Sequence, residues 1–88
     1  MSVYLVTYDL KKPGRDYTNL LAAIRKHSNV QLSESSYAIV SAQTAKQVSD
    51  LMRQHMDAND HVYVVTLALP YSGFGPAETN QWLATNLR

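Results

Sequence analysis

An α+β sandwich, one sheet packed against helices, is the fold class this sequence predicts, on three observations. Strand-length apolar runs occur near residues 3–8, 30–32, 37–40 and 61–69. Between the first and second of these runs, and again between the third and fourth, the apolar spacing changes from a period of two to that of a helix. Clusters of turn-forming residues separate the segments.

Val3 to Tyr8 is apolar on both alternating faces, the pattern of a central strand covered on each side. Asp9 ends it, and Pro13-Gly14 signals a turn. Asp16 is placed to cap a helix in which Tyr17, Leu20, Leu21 and Ile24 share one face, ending near residues 27–29. Val30 and Leu32 alternate with Gln31 and Ser33, as in a half-exposed strand. Glu34-Ser35-Ser36 reads as a turn or bulge, and Tyr37 to Val40 as the next strand. Thr44 with Gln47 forms a capping box, followed by the apolar stripe Val48, Leu51, Met52 and Met56 of a second helix. After the polar turn 57–60, His61 to Leu69 contains the strongest strand signal in the chain. Pro70 and the Gly73-Phe74-Gly75-Pro76 stretch break that strand. A last helix then starts near Pro76 and carries Trp82, Leu83 and Leu87 on one side.

The succession strand, helix, strand, strand, helix, strand is the split arrangement of ferredoxin-like folds, here with an added C-terminal helix. The expected organisation is one ferredoxin-like domain over residues 1–88, its core at 1–69 and its C-terminal extension at 70–88. Right-handed crossovers give the spatial strand order fourth, first, third, second. The fourth strand then lies at an edge with both faces apolar, and such an edge calls for a cover. A homodimer formed at or near this edge is expected, with Trp82 and Phe74 in the contact or shielding it. The same topology gathers Ser35, Ser36, Tyr37, Asp60 and His61 at the end of the sheet where Asp9 closes the first strand.

Composition narrows the function. With 88 residues the chain makes a small core, and domains of this size often gain stability by self-association. It has no cysteine, so disulfides, thiolate nucleophiles and cysteine-held zinc are excluded. A net charge of +1 argues against a protein that coats nucleic acid. The first apolar run is too short for a signal peptide or a membrane span, so a cytoplasmic protein with no membrane partner is expected. Five of the eight basic residues, Lys11, Lys12, Arg15, Arg25 and Lys26, fall in the first helix and the loop leading to it. They form either a local anion-binding patch or a solvated helix face.

Asp9 with Asp60, and with His61 beside them, has the chemistry of a divalent-cation site. Magnesium needs only one or two protein carboxylates and keeps several waters. The alternative is that Asp9 caps a turn and residues 57–61 form a solvated loop. Pro13-Gly14-Arg15 leads to a helix N-terminus, where backbone amides can hold phosphate, although neither glycine pattern of a nucleotide fingerprint is present. Ser35 and Ser36 have no matched base for a hydrolase triad. His27 and His55 sit near helix ends, where an imidazolium is comfortable. Tyr4, Tyr8, Tyr37 and Tyr63 lie on strands, as core or interface rings or as a platform for bases.

The segments "YLVTYDL" at 4–10, "SSYAIV" at 35–40 and "DANDHVYVVTL" at 57–67, with the early basic helix, resemble the small CRISPR-associated protein Cas-two and its VapD-type relatives. The likeness covers about three quarters of the chain. It is nearest to the uncharacterised SinR-like branch of short bacterial or phage proteins, which similarly pairs a "YDL-x-x-PG-x-DY" opening with a Trp-containing C-terminal helix. The resemblance implies a homodimer in which the aspartate ending the first strand meets its mate and binds magnesium for phosphodiester hydrolysis. By position only Asp9 carries over. Residues 70–88, "PYSGFGPAETNQWLATNLR", depart from the extra strand that the CRISPR subunit exchanges with its partner. The function expected is thus a Cas-two-like dimer and candidate magnesium-dependent nuclease acting on RNA or DNA. Asp9 would hold the ion, while Lys11, Lys12, Arg15, Ser35 and Ser36 meet the nucleic acid. The alternative is a non-catalytic interaction or regulatory module of a phage or mobile element, binding a host or phage protein.

Overall fold

The computed structural model describes residues 1–11 and 17–88. The elements are β1 (Ser2–Asp9), α1 (Thr18–Arg25), β2 (Asn29–Ser33), β3 (Ser36–Ser41), α2 (Ala45–Arg53), β4 (His61–Leu67) and α3 (Ala77–Asn86). The fold is α+β, with one four-stranded sheet in the order β2-β3-β1-β4 and antiparallel pairing throughout. The expected cap Asp16 and the Pro13-Gly14 turn lie outside the described residues, as do the candidate ligands Lys12 and Arg15.

Local signals account for the element ends. At the start of α2 the Thr44 hydroxyl accepts from the Gln47 amide at 3.1 Å, and the Gln47 side chain accepts from the Thr44 amide at 2.9 Å. This reciprocal pair satisfies two amides that a helix start would otherwise leave unbonded. The β2–β3 hairpin has an irregular register between Gln31 and Ser33, which shortens and twists that edge of the sheet.

Alternation along β1 divides the core in two. Tyr4, Val6 and Tyr8 point to one face, where they meet Tyr37 and Ile39 of β3, Leu20 and Ile24 of α1, and Val48 and Met52 of α2. Val6, Leu20, Ile24, Ile39, Val48 and Met52 are sealed from solvent. Each such side chain contributes about 1.5–3 kcal/mol relative to exposure, making this cluster the main source of stability. The Tyr4 hydroxyl reaches the sheet's rim and donates to the Gln43 carbonyl at 2.7 Å, which satisfies the polar tip of a buried ring.

Among the described residues, the cover on the opposite face is at the end where α3 lies. There Leu83 and Leu87 of the α3 segment pack on Val3 and Ala38, flanked by Val30, Val40, Leu67, Tyr71 and Trp82. The Leu69 amide bonds the Arg88 carbonyl at 2.9 Å and fastens the chain end beside β4. The Trp82 indole donates to the Ser28 hydroxyl at 3.3 Å, which puts the ring next to the start of β2. Trp82, expected either in a contact at the fourth strand or shielding it, hydrogen-bonds beside β2, the edge opposite β4, which leaves the contact alternative untested. The apolar side of α3 lies on Val3 and Ala38 of the two central strands, with Val30 and Leu67 of the edge strands at its flanks. Phe74 is fully exposed.

At the other end of this face the register aligns Thr7 with Tyr63 and Asp9 with His61. Tyr63 is 68% exposed and Val65 49% exposed. Among the described residues, no helix is long and apolar enough to cross a membrane.

Candidate functional site

Asp9 is the last residue of β1 and belongs to the sheet face that α3 leaves bare. Its carboxylate is 59% exposed and pairs through Oδ2 with the Lys11 ammonium, itself 48% exposed. At that exposure the pair contributes at most about 1 kcal/mol, so Asp9 is held only loosely and stays open to exchange partners. Directly across the ladder stands exposed His61. Paired residues of an antiparallel ladder share a face with Cβ atoms about 4.5–5.5 Å apart, so the two side chains leave the sheet together.

Asp60, one residue before β4, has a different environment. Its Oδ1 accepts from the Lys11 amide at 2.7 Å. Its Oδ2 accepts from the Tyr17 hydroxyl at 2.8 Å and from the Asp57 amide at 2.7 Å. The Asp60 amide returns a bond to the Asp57 carbonyl at 3.1 Å. Both carboxylate oxygens are therefore engaged in tying three separate segments together. The turn 57–60, the chain leaving β1 and the start of α1 meet on this one side chain.

Ser35 and Ser36 do reach the same end of the sheet. The Ser35 carbonyl accepts from the Tyr8 amide at 3.0 Å, and Ser36 pairs with Thr7. The Ser36 hydroxyl lies 2.6 Å from that of Ser33, a contact that closes the hairpin. The structure therefore brings Asp9, Lys11, Asp60, His61, Ser35 and Ser36 to one end, as the topology expects. Within that group Asp9 and His61 share the open face, while Asp60 faces inward to its own loop.

Other polar groups at this end belong to the helix-covered face. Arg25 donates to the Tyr37 hydroxyl at 3.3 Å, and the Tyr8 hydroxyl donates to the Glu34 carbonyl at 3.4 Å. Burial, followed by the neighbouring Tyr37, pushes the Tyr8 phenol above its ordinary value. Tyr8 thus remains a neutral donor in the physiological range. A groove of about 710 Å³ runs between the end of α2 and the start of β4, lined among others by Arg53, Asp57, Asp60, His61 and Tyr63. Asp9 is not in its wall, so this groove and the exposed carboxylate are separate features sharing His61 as a border.

Sequence reasoning missed the part played by Tyr17, which reads as one more apolar residue on a helix face. Its hydroxyl on Asp60 shows that the ring locks α1 to the β4 loop. A phenol at a helix start, near a carboxylate that the topology brings to the same end, was the available signal. Among the described residues, no group of three or more His, Asp or Glu side chains is placed to hold a metal ion within one chain. Among the described residues, Asp9 and His61 are paired across the ladder on the exposed end of that face.

No protein-family model matches the chain, and no solved structure matches it.

Proposed function

We propose that this protein works as a ferredoxin-like homodimer of the Cas-two and VapD type, in which the two Asp9 side chains meet and hold a divalent cation. The observation that carries this reading is the bare half of the sheet face. Exposed Tyr63 and Val65 lie there beside Asp9, at the end that α3 does not cover. A second copy is a suited occupant because its own half-face is equally apolar and the net charge of +1 sets up little repulsion between copies. The strand order and the antiparallel pairing support the ferredoxin-like assignment.

Within such a dimer each chain supplies one loosely held carboxylate, which fits a hydrated magnesium ion and its sparse demand for protein ligands. The ion would polarise a phosphodiester and lower the pKa of a bound water. Lys11 stands beside Asp9 and would move from the carboxylate to a substrate phosphate, a shift that its exposed ion pair permits. Asp60 supports the site by holding the Lys11 backbone rather than by ligating. Ser35 and Ser36 border the same end as hydroxyl contacts for nucleic acid. The test is cleavage of single- and double-stranded RNA and DNA with magnesium or manganese. Activity that disappears in Asp9→Asn supports the reading, and activity that survives in Asp9→Ala removes it.

The second reading is a non-catalytic interaction module of a phage or mobile element, engaging a host or phage protein. It is favoured by the engagement of both Asp60 oxygens in loop bonds, which leaves Asp9 as the open member of the Asp9 and Asp60 pair. A single stoichiometric protein partner captured equally well by the wild type and by Asp9→Ala would favour this module.

A further inference from the structure

We infer that the outer edge of β4 accepts one extended strand of a partner protein, with a lysine or arginine of that strand seated in the groove beside the end of α2. The inference deepens the interaction-module reading above and rests on it only for the partner being a protein. The backbone phase of the sheet is the first observation. The Tyr8 amide donates to the Ser35 carbonyl on the β3 side at 3.0 Å, so the even-numbered residues of β1 bond toward β3 and the odd-numbered ones toward β4. The β4 partners of those odd residues, His61, Tyr63, Val65 and Leu67, are thereby paired. Val62, Val64 and Thr66 turn their N–H and C=O groups outward, where β4 ends the sheet.

That edge is also undefended. Sheet edges are normally blunted by charges, proline or a bulge. At the other edge β2 is short and has an irregular register. β4 reads HVYVVTL, without proline, lysine or a carboxylate, and its register with β1 runs unbroken from His61 to Leu67. The groove of about 710 Å³ opens at the start of this edge. Met56 and Val62 give it an apolar part, while Asp50, Asp57 and Asp60 outnumber Arg53 in its wall. Asp57 and Asp60 are bonded within their turn and keep their charge. Exposed Asp50 holds Lys46 at 3.0 Å, in a surface pair that another cation displaces readily. A strand with a cation at this end therefore meets both outward backbone groups and opposite charge. A second copy is a poorer occupant of the edge. β4 paired antiparallel with another β4 about Val64 would bring Leu67, Ala68 and Leu69 to the groove, and no cation. The edge is distinct from the bare half-face, so strand addition leaves that face available.

The probe is an amidated peptide, Gly-Gly-Val-Thr-Val-Thr-Lys-Thr, labelled with fluorescein at its amino end. Laid antiparallel to β4, it sets its lysine opposite Val62 and its valines opposite Val64 and Thr66. Binding to the full-length protein is read by anisotropy, and amide protection by hydrogen exchange in NMR spectra. Two further peptides carry glutamate for the lysine, or N-methyl groups on the two valine amides. Wild type is compared with Asp50→Lys and with Val64→Pro, an edge position whose outward N–H makes proline tolerable. Folding is checked by circular dichroism, and the N-methylated peptide tests the same backbone bonds without altering the protein. The lysine peptide is expected to protect the Val62, Val64 and Thr66 amides and to leave Tyr63 and Val65 as they are in the free protein. Affinity should fall about tenfold or more with the glutamate or the N-methylated peptide, and about fivefold in Asp50→Lys and Val64→Pro. No binding, equal binding of the lysine and glutamate peptides, or binding without protection at Val62 and Val64 overturns the inference. Protection of those amides in the free protein that vanishes on dilution gives the edge to a second copy, and also overturns it. A protein partner captured stoichiometrically while the peptides fail removes the strand-accepting edge and keeps the interaction module.

Discussion

Replacing Asp60 by alanine should cost this protein much of its stability, although the residue is neither in the core nor at the open site. The carboxylate accepts from the Lys11 amide, the Tyr17 hydroxyl and the Asp57 amide at 2.7, 2.8 and 2.7 Å. Hydrogen bonds to a charged group are each worth about 1.5 kcal/mol at the lower end of their range, or ~4.5 kcal/mol if the three were additive. They share one side chain, and water reaches the exposed Lys11 amide in the variant, so we expect a net loss of ~2–3 kcal/mol. For a chain of this size that corresponds to a melting temperature lower by about 10–20 °C. In urea, with a slope near ~1 kcal/mol per molar, the midpoint should fall by about 2–3 M. Asp60→Asn keeps an acceptor oxygen and should lose about half as much. The assay is equilibrium urea unfolding followed by circular dichroism, with thermal melts as a second probe. A loss under about 0.5 kcal/mol for Asp60→Ala would refute the view that this carboxylate joins the three segments.

Further outcomes are expected. Met52→Ala, which opens a cavity in a fully buried site, should cost ~2–5 kcal/mol by urea unfolding. Tyr8 carries a phenol pKa raised above its ordinary 10.0, so the unfolded chain loses this proton first and stability falls as pH climbs past about 10. Tyr8→Phe should flatten that alkaline decline in a pH series of melts, and an equally steep decline would exclude Tyr8 as its source. Tyr63→Lys places a charge on the bare half-face and should shift the mass from dimer to monomer in sedimentation at a fixed concentration, without a comparable drop in melting temperature at high dilution. Leu83→Ala should loosen α3, read as faster amide exchange across residues 77–88 with little change in exchange for Val6 and Ile39.

Much of the architecture could be read from the residues because its signals are local. Thr44 and Gln47 sit at the spacing of a capping box, and the box is present atom for atom. The alternation of β4 separates Val62 and Val64 from Tyr63, Val65 and Leu67, and the structure adds that the first pair packs against the helix-covered core while Leu67 joins the opposite cluster. The convergence of Ser35, Asp60 and His61 on the Asp9 end follows from strand direction alone and needs no side-chain detail. The position of α3 was less legible. Its Trp82, Leu83 and Leu87 announce an apolar side, but whether that side seeks an edge or a face depends on how much apolar surface the sheet exposes at each place. The roles within the polar cluster were also hidden. Asp9 and Asp60 are the same residue type at the same end of the sheet, and only hydrogen-bond geometry separates the open carboxylate from the structural one.

The central claim is that two copies of this chain bring their Asp9 residues together, and the lack of any native cysteine allows a direct test. Asp9→Cys introduces the sole thiol, which is treated at low protein concentration with a bifunctional thiol reagent spanning about 10 Å, the reach of two carboxylates bridged by a hydrated ion. Lys46→Cys, on the exposed surface of α2, is the reference. The account predicts a covalent dimer in high yield from Asp9→Cys and little from Lys46→Cys. Equal yields from the two sites, or a chain that stays monomeric at Asp9, would contradict it.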